Sequence, residues 1–310
     1  MKKSRCFIFS HLDLALPSPV EKLSSPLLNK KQITLLIKRD DIIHPQLSGN
    51  KWRKLKYNLI QAKREKCSTL LTFGGAYSNH IHAVSATGKL CDFKTIGVVR
   101  GEPAPILSPT LAYAKSQGMH LHFVSRKNYR LKSNVAFIED LKKRFGDFYL
   151  LPEGGSNKLA LIGVGEIIDE LEEQIARVDY ICSACGTGGT LAGLIKRSVE
   201  KNITVLGFPV LKNADWMYQD ILKLLDAKEI NHWTLVLDYH FGGYAKYSQQ
   251  LIDFMSEFNA EFGIRLEQVY TAKMMYGLFA LIEADYFPAH STIVALHTGG
   301  LQGLLDIKEK

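Results

Sequence analysis

Residues 48–55 read Ser48-Gly49-Asn50-Lys51-Trp52-Arg53-Lys54-Leu55, and they follow an apolar, strand-like run and a charged turn. Gly49 interrupts regular structure, and Asn50 can cap a helix that begins at Lys51. A lysine in the first turn of a helix lies beside the positive end of the helix dipole, which disfavours its own charge. Such a lysine suits chemistry that needs a neutral, nucleophilic amine, such as Schiff-base formation. Taken alone, the segment favours a solvated basic helix face, because more lysines and arginines follow.

Short β-rich runs alternate with helical patterns along almost the whole chain. The predicted strands are Ile33–Ile37, Thr69–Phe73, Thr95–Val99, Leu121–Val124, Phe148–Leu151, Tyr180–Ser183, Val205–Val210, Leu235–Tyr239 and Thr292–Leu296. The predicted helices are Lys51–Glu65, Ser78–Leu90, Ser108–Ser116, Asn134–Arg144, Lys158–Gln174, Gly189–Glu200, Ala245–Glu261 and Ala272–Asp285. Such alternation indicates βαβ units with right-handed crossovers.

The number of predicted strands bears on the domain organisation. One sheet of so many strands would be too wide, so we predict an α/β fold with two doubly wound, mostly parallel open-sheet domains. No linker-like segment marks a boundary. We therefore predict a discontinuous large domain, residues 1–47 and 151–310, and a small domain, residues 48–150. Ligands in such sheets bind beyond the carboxyl ends of the strands.

The composition is that of an ordinary globular protein with excess positive charge. Of the 310 residues, 46% are hydrophobic and 23% are charged, and the formal net charge is +8. The basic residues are dispersed, so nucleic-acid binding is a minor alternative to attraction of small anions. Five cysteines are sparse and odd in number, which indicates a reducing compartment. His11 and Asp13 interrupt the N-terminal apolar run, and no segment reaches transmembrane length, so we expect a cytoplasmic protein without a membrane partner.

Two glycine-rich loops follow predicted strands and precede predicted helices. The first, Gly74-Gly75-Ala76-Tyr77-Ser78-Asn79-His80, offers Ser78 or Asn79 as a helix cap and exposed N–H groups for a carboxylate. The second, Cys185-Gly186-Thr187-Gly188-Gly189-Thr190, can form a nest for a phosphate. A dinucleotide fingerprint would need a glycine in place of Leu191, and a P-loop would need Gly-Lys-Ser/Thr. We therefore favour a bound phosphate monoester.

Cysteines and tyrosines near these loops have simpler explanations when each is taken alone. Cys182 and Cys185 form a single C-x-x-C pair, whereas a zinc site needs a second one, so we predict packing thiols and no metal. Thr298, in His297-Thr298-Gly299-Gly300, would project at the carboxyl end of a strand toward the shared crevice. Tyr244 and Tyr270 also lie at element ends, although either could be a core residue with a satisfied hydroxyl.

Together these segments resemble the pyridoxal-phosphate (PLP) enzymes of fold type II, the tryptophan-synthase-β-like class. Within that class the sequence is similar to the 1-aminocyclopropane-1-carboxylate (ACC) deaminase / D-cysteine desulfhydrase family. The matching motifs run in order: Pro17-Ser18-Pro19-Val20, Ile37–Asp41, Gly49-Asn50-Lys51, Gly74–His80, Gly186–Thr190, Gly243-Tyr244, Val269–Lys273 and His297–Gly300. The resemblance implies a PLP cofactor, bound by the large domain, and a homodimer.

The resemblance also implies roles for individual residues. Lys51 would bind the cofactor covalently and then move the Cα proton of the substrate. Thr298 would face the pyridine nitrogen, where a neutral hydroxyl makes the cofactor a weaker electron sink and favours elimination. The implied catalytic residues are Lys51, Ser78, Tyr244 and Tyr270. The implied cofactor-binding residues are Lys51, Lys54, Asn79, Gly186, Thr187, Gly188, Gly189, Thr190 and Thr298. The implied substrate-binding residues are Ser78, Asn79, His80 and Tyr77.

The implied reaction converts a small amino acid to an α-keto acid and ammonia, with D-cysteine as the first candidate and sulfide as a further product. In the family pattern, ring-opening deaminases carry a glutamate and a glutamine at the positions of Thr271 and His80. The residues of this chain resemble those of the desulfhydrases instead. Tyr77 departs from the family pattern and leaves the substrate open. We expect a lyase that is also classed as a hydrolase. The alternatives are an ACC deaminase, an amino-acid racemase and a PLP binder without activity.

Overall fold

The computed structural model describes residues 9–47 and 49–304; the first eight residues, with Cys6, and also Ser48 lie outside the described residues. The strands are β1 (Val20–Leu23), β2 (Thr34–Lys38), β3 (Thr69–Gly74), β4 (Lys94–Arg100), β5 (His120–Val124), β6 (Tyr149–Leu151), β7 (Tyr180–Cys185), β8 (Thr204–Pro209), β9 (Trp233–Leu235) and β10 (Thr292–Leu296). The helices are α1 (Pro26–Lys31), α2 (Asn50–Arg64), α3 (Asn79–Cys91), α4 (Pro109–Ser116), α5 (Arg126–Tyr129), α6 (Val135–Phe145), α7 (Lys158–Gln174), α8 (Gly189–Ser198), α9 (Met217–Leu225), α10 (Gln249–Phe262) and α11 (Thr271–Glu283).

The strands form two separate sheets. The larger has six strands in the order β1-β2-β10-β7-β8-β9, in which β1 runs antiparallel to β2 and the other neighbours are parallel. The smaller has four parallel strands in the order β5-β4-β3-β6. This architecture confirms the predicted α/β class with two mostly parallel open sheets. The smaller sheet uses strands from residues 69–151, and the division into domains at 47/48 and 150/151 stays a prediction.

The sequence analysis did not predict several of the shorter elements. Strand β1 and helices α1 and α5 have six residues or fewer, too short for a periodic pattern to emerge. Helix α9 follows Trp216 with no capping side chain, so no start signal marks it.

Two predicted boundaries are wrong. Strand β9 ends at Leu235 instead of beginning there, since only residues 233–235 pair with β8. The predicted start of α10 at Ala245 fails because Ala245 has a φ of +56°, and Ser248 caps the helix by accepting a hydrogen bond from the N–H of Leu251.

Helix α2 is fixed between the two sheets by a buried ionic network. The Arg53 guanidinium is fully buried and donates to Asp40 at 2.8 Å and to Glu170 at 2.6 Å. Lys38 donates to the same Glu170 at 2.7 Å. Lys54, the next residue, is also buried, so the first part of the basic run on this helix is not the solvated face that its sequence favours when taken alone, whereas Lys63 and Arg64 at the end of the helix are exposed. Among the helices of residues 9–47 and 49–304, none is long and apolar enough to cross a membrane.

Candidate active site

A cavity of about 1030 Å³ lies between the two sheets, beyond the carboxyl ends of β3, β7 and β10. It brings together every residue that the sequence predicted for the site, although these residues are spread over 248 positions of the chain. The members that line it are Lys51, Lys54, Tyr77, Ser78, Asn79, His80, Gly186, Thr187, Gly188, Gly189, Thr190, Tyr244, Tyr270 and Thr298. Their proximity is a structural fact, and their individual roles stay predictions.

The start of helix α2 differs from the prediction. The helix begins at Asn50 and is preceded by Gly49, whose φ of +68° and ψ of −153° suit glycine, and the Asn50 side chain does not cap it. Instead, the Asn50 amide donates to the hydroxyl of Thr190 at 2.8 Å and its oxygen accepts from the Lys51 amine at 2.6 Å. Asn50 thus joins the lysine to the glycine loop before α8. A Cβ on Gly49 would lie 1.8 Å from the carbonyl oxygen of Thr298, so glycine permits this close approach.

The Lys51 amine is electrostatically suited to be a nucleophile. Burial lowers the pKa of Lys51 to about 8, and the negative charge of Glu267 partly opposes that effect. A substantial fraction of the amine is therefore neutral near neutral pH, as nucleophilic attack on a carbonyl requires. The sequence attributed this property to the helix dipole, whereas burial is the main cause.

The loop from Gly186 to Thr190 forms an anion-binding nest at the start of α8. Gly188 adopts a φ of +73° directly before the helix, which leaves the first N–H groups of α8 free to point at a ligand. Lys54 donates to the carbonyl of Gly154 at 3.0 Å and to the hydroxyl of Ser156 at 3.3 Å. A Cβ on Gly189 would lie 3.0 Å from the Lys54 amine, so this amine borders the nest. Burial, and then the charge of Lys51, lower the pKa of Lys54 well below its ordinary value.

Ser156 belongs to this nest, and the sequence analysis missed it. Its hydroxyl lies 2.8 Å from the hydroxyl of Thr187. The available signal was the run Pro152-Glu153-Gly154-Gly155-Ser156, which follows a strand with paired glycines, as the two recognised loops do.

The loop before helix α3 presents the polar groups predicted for a carboxylate. Ser78 caps the helix by accepting a hydrogen bond from the N–H of Ile81 at 3.2 Å, which confirms one of the two predicted caps. The oxygen of Asn79 accepts from Gln302 at 2.9 Å. Tyr77 is 68% exposed at the cavity wall, and its predicted contact with the substrate stays a prediction.

The two cavity tyrosines pack against each other, and a buried carboxylate holds the backbone at Tyr270. Tyr270 and Tyr244 meet edge to face with ring centroids 6.1 Å apart. Glu267 is 2% exposed and accepts hydrogen bonds from the backbone N–H groups of Tyr270 at 2.6 Å and Val269 at 2.8 Å. Burial and the neighbouring Tyr244 hold the pKa of Tyr270 well above its ordinary value, so its hydroxyl stays protonated. The sequence analysis missed Glu267, because a glutamate four residues before a helix is not among the usual helix start signals.

The two cysteine thiols next to the nest are inaccessible to solvent. Cys182 and Cys185 are both buried on β7 and unpaired. Burial raises the pKa of Cys185 to about 12, which keeps the thiol protonated.

The residues present fit pyridoxal phosphate. A partly neutral lysine amine can bind its aldehyde, and the glycine nest with Lys54 and Ser156 can hold its phosphate. Two mostly parallel sheets with this lysine in the crevice between them are typical of the PLP-dependent enzymes of fold type II. The chain belongs to the pyridoxal-phosphate dependent enzyme family, whose sequence profile matches residues 13–299.

Two relatives are similar over most of their lengths. A protein of Arabidopsis thaliana named bifunctional D-cysteine desulfhydrase/1-aminocyclopropane-1-carboxylate deaminase, mitochondrial, is 30% identical over 98% of this chain and 80% of its own. A putative 1-aminocyclopropane-1-carboxylate deaminase of Thermotoga maritima is 31% identical over 94% of this chain and 97% of its own.

Two solved structures share the fold. An ACC deaminase homologue superposes with a TM-score of 0.79 at 27% identity, covering 98% of this chain and 96% of that one. A hydrogen sulfide-producing enzyme from Fusobacterium nucleatum superposes with a TM-score of 0.67 at 16% identity, covering 94% and 98%, and this likeness concerns the fold alone.

The expected hydrolase class is wrong. The relatives are named for desulfhydrase and deaminase activities, which fit elimination from a small amino acid rather than hydrolysis. The physical distinction is that a lyase breaks its bond by elimination, whereas a hydrolase breaks it by attack of water.

Proposed function

We propose that this PLP-dependent enzyme converts a small amino acid to an α-keto acid and ammonia, and that D-cysteine, which would also release sulfide, is the leading substrate. The observation that carries the proposal is the placement of the Lys51 amine. This amine lies in the cavity and is linked through Asn50 to Thr190 of the phosphate nest. The D-cysteine desulfhydrase and ACC deaminase activities named for the relatives support the substrate class.

Lys51 acts first as the cofactor's anchor and then as a base. The nest of Gly186–Thr190, with Lys54 and Ser156, would hold the phosphate, and Thr298 would supply a hydroxyl to the pyridine nitrogen. When bound, pyridoxal phosphate supplies an electron sink for the pair released at Cα. With a pKa near 8, the Lys51 amine can accept the Cα proton at neutral pH and return it later.

Other groups orient the substrate and its leaving group. Ser78 and Asn79, at the start of α3, hold the substrate carboxylate next to backbone N–H groups that favour an anion. Tyr244 and Tyr270 flank the side chain, and the protonated Tyr270 hydroxyl can donate a hydrogen bond to a departing sulfur. For D-cysteine, elimination breaks the C–H and C–S bonds, and water then converts the released imine to keto acid and ammonia.

Thr271 favours the desulfhydrase over the ring-opening deaminase. Its side chain is fully buried, and its hydroxyl accepts a hydrogen bond from the N–H of Glu267 at 2.9 Å. It therefore offers no carboxylate to the cavity, unlike the glutamate that the ring-opening pattern carries after the tyrosine. ACC deamination remains the second candidate, because several relatives bear that name.

An assay of keto-acid and sulfide release tests the proposal. The panel is D-cysteine, L-cysteine, β-chloro-D-alanine, D-serine and ACC, with Lys51→Ala as the control for contaminating activity. We expect D-cysteine to react fastest and to yield equal amounts of keto acid and sulfide. Preference for ACC would select the second candidate, chiral inversion without keto acid would indicate a racemase, and cofactor binding without turnover would indicate a non-catalytic binder.

We also propose a homodimer in a reducing compartment such as the cytoplasm. The family resemblance supports the dimer, as do large apolar side chains that stay exposed, including Ile106 and Val135. Four unpaired cysteines in the described part of the chain support the compartment. Light scattering coupled to gel filtration would test the dimer, and fractionation of the source cells would test the location.

A further inference from the structure

The imidazole of His80 is a buried polar group without a partner. Its side chain is 2% exposed, lines the cavity, and makes no hydrogen bond from either ring nitrogen to any described residue. The Pro152 backbone lies nearby and slightly raises the pKa of the ring, yet no bond of good geometry forms. A buried donor or acceptor that has lost its water and gained no partner destabilises the folded protein. A ring in this state can meet a partner that residues 9–47 and 49–304 do not provide.

The ring lies toward the phosphate end of the cavity. A Cβ on Gly155 would be 2.9 Å from Cε1 of the His80 ring and 3.5 Å from Cβ of Lys54. His80 therefore packs against the loop whose next residue, Ser156, contacts the Lys54 amine at 3.3 Å. The charges that act on the ring come from Lys51 and Lys54, both on helix α2.

The surroundings of the His80 ring favour an anionic hydrogen-bond acceptor. Burial lowers the pKa of His80 well below its ordinary value, and the two lysine charges lower it further, so the ring is neutral and carries one N–H donor. Two amines beside a neutral donor favour an acceptor that bears more than one negative charge. A phosphate ester meets that condition, whereas the substrate carboxylate carries one charge and has the backbone N–H groups of α3 available.

We propose that the His80 ring is a ligand of the cofactor phosphate, donating its N–H to a phosphate oxygen beside Lys54 and Ser156. The proposal refines the expectation that His80 contacts the substrate, since only the backbone of His80 then remains for the carboxylate. It rests on the PLP site of the proposed function but not on which amino acid is turned over.

Binding of two cofactor analogues to the apo-enzyme tests the proposal. The probe 4′-deoxypyridoxine 5′-phosphate has the phosphate but no aldehyde, so it cannot bond to Lys51, and pyridoxine has neither group. His80→Leu should weaken binding of the phosphate probe about 10- to 100-fold, the loss expected for a hydrogen bond to a charged group. Pyridoxine binding should change little. His80→Gln, which retains an N–H donor, should recover much of the loss, and His122→Leu, on β5, should behave as the wild type.

Two further readouts separate this role from a structural one. The ring ¹⁵N signals of His80 in the wild-type apo-enzyme should shift with the phosphate probe and not with pyridoxine, a result that needs no variant to fold. With saturating PLP, His80→Leu should leave the KM of the best substrate unchanged. Unchanged affinity of His80→Leu for the phosphate probe would overturn the proposal, whether or not the KM of the substrate rises. Failure of the wild type to bind the phosphate probe would overturn the cofactor site itself, while failure to turn over any amino acid would affect only the proposed reaction.

Discussion

Replacing Gly49 by alanine tests whether the close approach of helix α2 to the Thr298 turn builds the site. Gly49 has a φ of +68° and a ψ of −153°, a region in which a residue with a Cβ is strained by ~1–3 kcal/mol. The new Cβ would lie 1.8 Å from the carbonyl oxygen of Thr298, whereas ordinary contacts begin at 3.4 Å, so the two segments must separate by about 1.6 Å. A misplacement of ~1 Å in a catalytic group can lower a rate ~100-fold.

Gly146→Ala is the matched control for backbone strain. Gly146 has a φ of +76° and a ψ of −163°, and a Cβ there meets no atom within 4 Å. Urea unfolding of the two apo-variants should show a loss of ~1–3 kcal/mol for Gly146→Ala and a larger one for Gly49→Ala. Only Gly49→Ala should weaken PLP binding and lower the rate of keto-acid release by ~100-fold or more. Equal behaviour of the two variants in stability, PLP affinity and rate would refute the reasoning.

Three further predictions concern charge and hydrogen bonding. The rate of PLP attachment to the apo-enzyme, followed by stopped-flow absorbance, should rise with pH and level off above about 8, because only the neutral Lys51 amine attacks; a pH-independent rate would contradict this. Arg53→Met removes the ionic partner of the buried Asp40 and one of the two ionic partners of the partly buried Glu170, and it should lower the free energy of unfolding by ~3–5 kcal/mol. Lys143→Met, in an exposed ion pair, should change the free energy of unfolding by less than ~1 kcal/mol. Similar losses for Arg53→Met and Lys143→Met in urea unfolding would refute the burial assigned to Arg53. Ser156→Ala should weaken PLP binding by up to ~10-fold with the exposed Ser116→Ala as control, and unchanged affinity would remove Ser156 from the nest.

The sequence allowed the fold and the lining of the cavity to be predicted because both depend on local patterns. A strand followed by glycines and a helix start is visible in a short window, and parallel topology brings such loops to one edge. The loops at Gly74, Gly186 and His297 can therefore be placed in one crevice from the sequence alone.

Long-range partners could not be predicted in the same way. The bond from Asn50 to Thr190 joins residues 140 positions apart, and no local pattern records it. Asn50 looked like a helix cap because capping is its commonest local use. The pKa of Lys51 likewise depends mainly on burial by distant segments rather than on its own helix. Glu267 and Ser156 acquire their roles only through the loops that they face.

Location of the cofactor on the chain tests the central claim most directly. The purified enzyme, loaded with PLP and reduced with borohydride, is digested with a protease that does not depend on lysine, and the labelled peptide is identified by mass spectrometry. The account predicts the label on Lys51, unchanged in Lys54→Gln and absent from that position in Lys51→Ala. A label on Lys54 or another lysine of the wild type, or no label at all, would contradict the account.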